Sequence, residues 1–344
     1  MTAKNLKKAV VSLANVAKEA GVSKMTVSRV LRNDSGFSEG TREKVNQAVK
    51  KLGYVNNKLA VAFNSTTKST LIGIAVPSIS GELFSEILEG IESKLSAIGY
   101  QAIVGAIGYE EKAEEEWLRT ILQWRPSGLI LTTRQRTDEV NTLLTSHDIP
   151  VVEIWGLDNK PQSMCVGFNH FDAGYSMGCH VARKHHQKIG YIGTRMDAFT
   201  LGEQRLEGFK RGLAEYDLNL SYEVFLNDHS SFYSGFYATE HMLSAHQDID
   251  LIYYLDDNMA VGGMMFCQQK GLSIPGDIGI AGFGSMSIDA VLPVKLTTTR
   301  AFRRRIGKLA AAKLLTKITG EKTEYVSDDD VIDVGFELIE GHTV

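Results

Sequence analysis

Short apolar runs alternate with helically spaced apolar positions over most of the chain after residue 70. The runs are four to seven residues long, the length of buried strands, and helices fit between them. Apolar runs of this kind are typical of parallel sheets that are covered by helices on both faces. Nine strands are predicted in this way: LIGIAVP (71–77), QAIVGAI (101–107), GLILTT (128–133), PVVEIW (150–155), CVGF (165–168), KIGYIGT (188–194), EVFLND (223–228), LIYYLDD (251–257) and IGIAGFG (278–284).

The strands form two successive sets, which predicts two doubly wound α/β subdomains. The stretch at 296–320 fits a return of the chain to the first subdomain, and VIDVGFELI at 331–339 would supply a late strand to the second. The expected lobes are residues 71–164 with 296–325, and residues 165–295 with 326–340.

Residues 1–55 have a different pattern, that of three short helices around a small core. Gly21 tolerates the left-handed backbone of a helix C-cap and Ser23 is a good N-cap, so a tight turn is expected between the first two helices. We expect Thr41 to cap the third helix and Gly53 to end it. The predicted core consists of Leu13, Val16, Ala17, Ala20, Val27, Val30, Leu31, Val45, Ala48, Val49 and Leu52. Two helices joined by a tight turn are typical of the helix-turn-helix arrangement.

Charge separates this N-terminal head from the rest of the chain. The whole chain has a formal net charge of −4, but residues 1–65 hold twelve Lys and Arg against four Asp and Glu. The remaining residues hold 25 basic and 37 acidic side chains. A basic head on an acidic body indicates that the head alone meets a polyanion. Charge by itself fits a solvated basic arm equally well, and the helix pattern favours DNA.

The outer face of the second helix carries the residue types that read DNA. Long cations reach guanine N7 and O6, hydroxyls bond phosphate oxygens, and a methionine can contact a thymine methyl group. The predicted contacts are Lys24 and Arg29 to guanine, Ser23, Thr26 and Ser28 to phosphate, and Met25 to thymine. The alternative is a three-helix bundle with a solvated basic face.

NVAKEAGVSKMTVSRVLRN (15–33) and SEGTREKVNQAVKKLGYVNN (38–57) resemble the head of the LacI/GalR family of bacterial repressors, and the resemblance continues through the body. It implies base contacts at Lys24, Met25 and Arg29. Asn15 stands where the family usually has Asp, and Asn56 where it usually has Pro.

The resemblance also assigns the segment between head and body. Residues 56–70 correspond to a hinge whose short helix, here Leu59 to Phe63, forms on DNA and pairs with a second copy in the minor groove. Phe63 would be the apolar wedge inserted between base pairs, a position that is commonly Leu. The alternative is a plain linker.

For residues 71–344 the resemblance implies a periplasmic-binding-protein-like core with a ligand cleft between the lobes. EQRLEGFKRGL (203–213) is similar to the family motif whose Arg grips the effector, which corresponds to Arg205. In YLDDNMAVG (254–262), Asp256 replaces the usual Asn and Asp257 matches the common Asp. In AGFGSMSI (281–288), Gly284 replaces an Asp that usually accepts hydroxyl protons from neutral sugars.

Loss of a carboxylate at Gly284 with retention of Arg205 favours an anionic ligand. Arg134 and Arg195 follow predicted strands, where open α/β sheets hold ligands. GFGS (282–285), PSISGELFSEILEGIE (77–92) and VGFNHF (166–171) resemble the gluconate-operon repressors of this family. The expected effector is therefore a sugar acid such as gluconate, or a phosphorylated relative. Further expected lining residues are Ser78, Ser80, Phe84 and Trp155 in the first lobe, and Asn169 and Ser231 in the second.

Motifs of enzymes are missing from the sequence. There is no nucleotide-binding glycine motif at a first strand–helix turn, no P-loop, no GxSxG elbow and no HExxH. The cysteines at 165, 179 and 267 have no metal or redox spacing, so no metal or cofactor is expected. A sugar-binding protein or an α/β enzyme with a basic head is the alternative to a regulator, and a nonspecific architectural DNA binder is another.

Location and assembly follow from the same features. No apolar run approaches the roughly 18 to 20 residues that span a bilayer, and the N-terminus has no signal-peptide pattern. We therefore expect no membrane partner and a cytoplasmic, nucleoid-associated protein. The expected partners are double-stranded palindromic operator DNA, a small sugar or sugar-acid effector and a second copy of the chain. A homodimer is preferred to a tetramer because no heptad repeat is seen at the C-terminus.

Overall fold

The computed structural model describes residues 11–31, 35–55, 69–109, 111–132, 136–157, 164–195, 199–321 and 329–344. The chain forms two compact units, Met1–Ser69 and Thr70–Val344. The predicted hinge helix and Phe63 lie outside the described residues, as does Arg134.

In the described residues of the first unit, three helices enclose the predicted apolar core. Gly21 ends the first helix with φ 65°, as expected. Asn15 completes a capping box with Ser12, so this departure from the family pattern supports the start of that helix. The prediction for the third helix was wrong by one turn, because Ser38 is the N-cap and its Oγ accepts the backbone N–H of Thr41. The helices are α1 (Leu13–Ala20), α2 (Lys24–Leu31) and α3 (Glu39–Leu52).

The first lobe of the second unit is built on a six-stranded parallel sheet. Its strands are β1 (Leu71–Val76), β2 (Gln101–Ala106), β3 (Gly128–Thr132), β4 (Val151–Gly156), β5 (Met164–Phe168) and β11 (Val331–Asp333), in the order β11-β5-β4-β3-β1-β2. Strands β3 and β4 are buried at every position, as their apolar runs predict. The helices of this lobe are α4 (Glu82–Leu95), α5 (Glu111–Leu122), α6 (Asp138–Ser146) and α11 (Arg303–Thr319).

The second lobe is built on a four-stranded parallel sheet in the order β7-β6-β8-β9. Its elements are β6 (Ile189–Thr194), β7 (Leu220–Leu226), β8 (Leu251–Tyr254) and β9 (Gly279–Ala281), with α7 (His170–Ala182), α8 (Phe199–Ala214), α9 (Phe232–Ala245) and α10 (Asp257–Lys270). Helices α7 and α8 pack so closely that a Cβ atom added to Gly174 would lie 1.8 Å from the carbonyl oxygen of Arg205. The position of Arg205 therefore depends on a glycine in the neighbouring helix.

All nine predicted strands are present, but two strands were assigned to the wrong lobe. Residues 165–168 were expected in the second lobe, yet β5 pairs with β4 in the first sheet. The prediction that VIDVGFELI (331–339) forms a single strand of the second lobe was also wrong, because Gly335, with φ 71°, divides this stretch. Its first half is β11, which pairs with β5, and its second half is β12 (Phe336–Ile339), which pairs antiparallel with β10 (Thr298–Ala301). An apolar run shows that a strand is buried and does not show in which sheet.

Two further properties of the described residues bear on the class of protein. None of the helices in the described part of the chain is long and apolar enough to span a membrane. Within the same residues, no group of three or more His, Cys, Asp or Glu side chains is arranged to hold a metal ion.

Candidate functional site

The outer face of α2 presents two of the predicted DNA contacts to solvent. Lys24 is exposed, and Met25 is 73% exposed although its side chain is apolar. The Ser23 hydroxyl accepts the backbone N–H of Thr26 at 3.0 Å and lies 2.9 Å from the Thr26 hydroxyl, so this pair fixes the first turn of α2. Ser28 is half-buried. An exposed apolar side chain next to a lysine is suited to burial against base edges in a DNA groove.

Arg29 lies on the same helix but folds back onto the head. Its Nη2 atom donates a hydrogen bond to the Ser35 carbonyl at 2.7 Å, and its guanidinium lies 5.9 Å from the centre of the Phe37 ring. Arg42 approaches the same ring at 5.5 Å. A guanidinium carries five N–H donors, so the bond to Ser35 leaves donors for a base. A role for Arg29 in reading DNA stays a prediction.

A cavity of about 460 Å³ lies between the two lobes, where strand ends meet. Six of the predicted effector-binding residues line it: Ser78, Ser80, Phe84, Trp155, Arg205 and Asp256. The lining residues that the sequence did not single out are Pro77, Gly81, Glu82, Leu83, Gly108, Tyr109, Thr132, Leu201, Gly202, His229, Ser230, Leu255, Asn258, Phe283 and Met286. Several are direct neighbours of predicted residues, such as Ser230 and Phe283, and a motif does not tell which of two neighbours faces a cavity.

Other predicted effector residues do not line this cavity. Asn169 and Ser231 are instead the N-caps of α7 and α9, where their side chains accept backbone N–H groups. Arg195 is exposed, and its backbone N–H donates to Leu226. Arg195 was predicted from its position after a strand, and Asn169 and Ser231 as second-lobe lining. Exposure of Arg195 and capping by the other two take these side chains away from the cavity.

Asp257 and Gly284 also lie outside the cavity lining. The Asp257 carboxyl is fully buried and accepts the Thr298 hydroxyl at 2.6 Å and the Met286 backbone N–H at 3.1 Å. Burial raises the pKa of Asp257 well above its usual range. A Cβ atom on Gly284 would lie 3.6 Å from Asp257 Oδ2, and the φ of 133° is unfavourable for other residues. An Asp at this position would crowd a second carboxylate against the first.

Among the described residues that line the cavity, Arg205 is the permanent cation, and it is held by neutral groups. Its side chain belongs to α8, and the residue is 6% exposed. Nη2 donates to the Leu255 carbonyl at 2.9 Å, Nη1 lies 3.1 Å from His170 Nδ1, and the guanidinium lies 3.7 Å from the centre of the Phe283 ring. Among the described residues, no carboxylate forms an ion pair with Arg205. A buried charge of this kind is costly unless a ligand compensates it.

An aromatic wall borders the cation. The Trp155 ring lies 6.0 Å from Phe84, 5.1 Å from Phe168 and 6.3 Å from Phe283, measured between ring centres. Trp155 also has φ 86°, which is strained for a residue with a side chain. Strained residues of this kind cluster at ligand sites, and here the strain is located at the end of β4, in the cavity wall.

Among the described residues, two carboxylates line the cavity: Asp256, which the sequence predicts, and Glu82, which it does not. The Glu82 carboxylate accepts the Ser287 backbone N–H at 2.8 Å and lies 3.4 Å from Arg303, so one of its neighbours is a cation. Asp256 caps α10 and accepts the Ser230 hydroxyl. These carboxylates can accept hydrogen bonds from hydroxyl groups of a ligand.

A helix-turn-helix head joined to a two-lobed α/β unit with an inter-lobe cavity defines a class of protein, the ligand-controlled DNA-binding regulator. Comparison with known proteins gives the family. Residues 12–57 match the bacterial regulatory proteins of the lacI family, and residues 69–336 match the periplasmic binding proteins and sugar binding domain of the LacI family.

The chain is 34% identical over 332 residues to the HTH-type transcriptional regulator GntR of Escherichia coli strain K12, covering 96% of this chain and 98% of that protein. It superposes on a LacI-family transcriptional regulator from Silicibacter pomeroyi with a TM-score of 0.89 and 35% identity, covering 97% and 99% of the two chains. The lac repressor dimer bound to operator gives a TM-score of 0.82 and 25% identity, with coverages of 97% and 98%. The chain belongs to the LacI family of transcriptional regulators, and it is not an enzyme.

Proposed function

We propose that the protein is a transcriptional repressor that binds palindromic operator DNA as a homodimer and responds to a sugar acid such as gluconate. The observation that carries the effector class is Arg205, a buried cation whose described partners are all neutral. A ligand carboxylate supplies the missing negative charge through charge-assisted hydrogen bonds. The resemblance to gluconate-operon repressors supports the same class.

The remainder of the cavity suits the polyhydroxyl part of such a ligand. Its volume is within the range of about 300–1,000 Å³ that is usual for small-molecule sites. The hydroxyls of Ser78 and Ser80 and the carboxylate of Asp256 offer hydrogen-bond partners, while Trp155 and Phe84 cover the apolar side of a sugar chain. Asp256 and Glu82 disfavour a second negative charge nearby, so gluconate is preferred here to a phosphorylated relative.

The proposed DNA contacts are those of the exposed face of α2. Lys24 and Arg29 read guanine, Met25 contacts thymine, and Ser23, Thr26 and Ser28 fix the register on phosphates. Phe63 is proposed as the minor-groove wedge. In a dimer the two heads occupy half-sites about 34 Å apart. The lac repressor, a structural relative, is described as a dimer bound to operator.

A surface for the second copy is proposed on α9. Three aromatic side chains of this helix are exposed, with Tyr233 at 68%, Tyr237 at 49% and Phe232 at 48%. The rings of Tyr233 and Tyr237 lie 4.4 Å apart, so the exposed area is continuous. Aromatic patches of this kind are typical of protein interfaces.

Coupling between the two sites completes the proposal. Effector binding changes the affinity of the dimer for its operator, and DNA must change the affinity for the effector by the same factor. We expect effector binding to weaken operator binding, so that the repressor leaves the DNA. Corepression, in which the effector strengthens operator binding, is the alternative. We place its action at the nucleoid in the cytoplasm, where a repressor of this kind would meet its operator.

Calorimetric titration of the full chain tests the effector class. The ligands are gluconate, 6-phosphogluconate, glucose and glucitol. Gluconate should bind most tightly, and Arg205→Met should remove that preference. Tightest binding of a neutral sugar by the wild type would contradict the proposal. Arg211→Met is the matched control, because Arg211 is an exposed cation of the same helix, paired with Glu215.

A further inference from the structure

We infer that His170 is a positioning residue for the effector: as a neutral acceptor it orients the Arg205 guanidinium and leaves its charge for an anionic ligand. This inference rests on the proposed sugar-acid effector. His170 is the first residue of α7 and is 1% exposed. It does not line the cavity, and it acts through Arg205.

The hydrogen bonds of His170 define its tautomer. Arg205 Nη1 can only donate, so His170 Nδ1, at 3.1 Å, must accept and carries no proton. The proton is therefore on Nε2, which faces the Trp155 carbonyl oxygen at 3.4 Å. One imidazole thus contacts the cation of the cavity and the backbone of its aromatic wall.

The charge of the imidazole follows from its surroundings. Burial lowers the pKa of His170 well below its usual value, and the positive charge of Arg205 lowers it further. The ring is also stacked on Phe168, with ring centres 4.2 Å apart. His170 is consequently neutral at physiological pH, and protonation would remove the acceptor that Arg205 uses.

A neutral acceptor at this position has a consequence for ligand choice. A carboxylate in place of His170 would form a buried ion pair with Arg205 and cancel its charge. The Leu255 carbonyl and the Phe283 ring, which also contact Arg205, are neutral as well. The guanidinium is therefore fixed in direction by three groups that leave its full charge available, and a ligand carboxylate gains more from this site than an uncharged amide does.

Three substitutions separate these effects. His170→Phe keeps an aromatic ring against Phe168 and removes the acceptor. His170→Asn places a carbonyl oxygen near the position of Nδ1 and stays neutral. His170→Asp offers an acceptor that carries a negative charge.

The experiment measures the affinity of the full-length variants for gluconate and for D-gluconamide, in which an uncharged amide replaces the carboxylate. The readout is the ratio of the two dissociation constants. A loss of packing alone would weaken both ligands equally and leave this ratio unchanged. We expect His170→Phe to reduce the preference for gluconate by about tenfold or more, His170→Asn to stay within about threefold of the wild type, and His170→Asp to abolish the preference.

The outcomes separate this inference from the proposed function. A wild type that binds no sugar acid contradicts the proposed effector and this inference with it. If the wild type prefers gluconate, but His170→Asp keeps the same preference or His170→Phe weakens both ligands equally, the inference alone is overturned. Should His170→Phe fail to fold, the comparison of His170→Asn with His170→Asp still decides.

Discussion

Replacement of Arg205 by methionine should separate ligand binding from stability. Methionine has a similar length and keeps an apolar side chain against Phe283, but it carries no charge and no donors. The structure gives Arg205 only neutral partners among the described residues, so the substitution removes an uncompensated buried cation. Two effects on the free energy of unfolding then oppose each other.

The magnitudes can be worked out from these contacts. Removal of a buried charge relieves a desolvation cost of several kcal/mol. The Leu255 carbonyl and His170 Nδ1 lose their donor, which costs about 1–3 kcal/mol each. We expect the free energy of unfolding to change by less than about 2 kcal/mol. In the variant, a bound carboxylate loses two charge-assisted hydrogen bonds, which lowers the binding free energy by about 3–5 kcal/mol. The Kd for gluconate should therefore rise by roughly two to four orders of magnitude.

Calorimetry with gluconate and urea unfolding measure the two quantities on the same samples. Operator affinity without effector should be unchanged, and the response to gluconate should be lost. Gluconate binding by Arg205→Met within about threefold of the wild type would show that Arg205 does not hold the ligand. A loss of more than about 4 kcal/mol of stability would show that Arg205 is a structural residue instead.

Arg29→Ala should weaken binding to the cognate operator by about 1–3 kcal/mol and binding to random DNA by less, as measured by fluorescence anisotropy. Arg42→Ala, which removes the other guanidinium near the Phe37 ring, is the control. Equal losses of affinity for both DNAs would argue against base reading by Arg29. Asp289 lies in the short helical turn Ser287–Ala290 after β9, and burial raises the pKa of its carboxyl to about 6 from 3.8. Ionisation of this carboxyl therefore destabilises the native state as the pH rises between those values. Asp289→Asn should therefore raise the melting temperature more at about pH 7.5 than at about pH 4.5, and an equal shift at both would contradict the assignment. Tyr233→Asp on the exposed face of α9 should shift the protein towards a monomer in analytical ultracentrifugation while gluconate binding persists; an unchanged dimer would place the interface elsewhere.

The strands could be predicted from the sequence because each is a short apolar run between helical patterns. Their distribution between the lobes could not be predicted completely. β5 is apolar on both faces and fits the middle of either sheet, and its pairing with β4 and β11 places it in the first. Gly335 divides a nine-residue stretch between two sheets, a change of direction that hydrophobicity does not record.

The cavity lining was predictable only in part, because a motif does not tell which of two neighbouring side chains faces the cavity. Arg205 and Asp256 come from motifs and line the cavity. Ser231 was chosen, but its hydroxyl caps α9 and the neighbouring Ser230 lines the cavity instead. His170 gave no signal of its own, because its role depends on a tautomer that follows from contacts with residues far apart in the chain.

The most direct test of the account uses the full-length protein and fragments of the genome in which it is encoded. Fragments retained in about 150 mM salt are sequenced, and the affinity for the enriched duplex is compared with that for a shuffled duplex, with and without gluconate. The account predicts a palindromic site bound roughly a thousandfold more tightly than the shuffled sequence, and weaker binding when gluconate is present. Equal affinity for both duplexes, or a preference that no sugar acid alters, would contradict it.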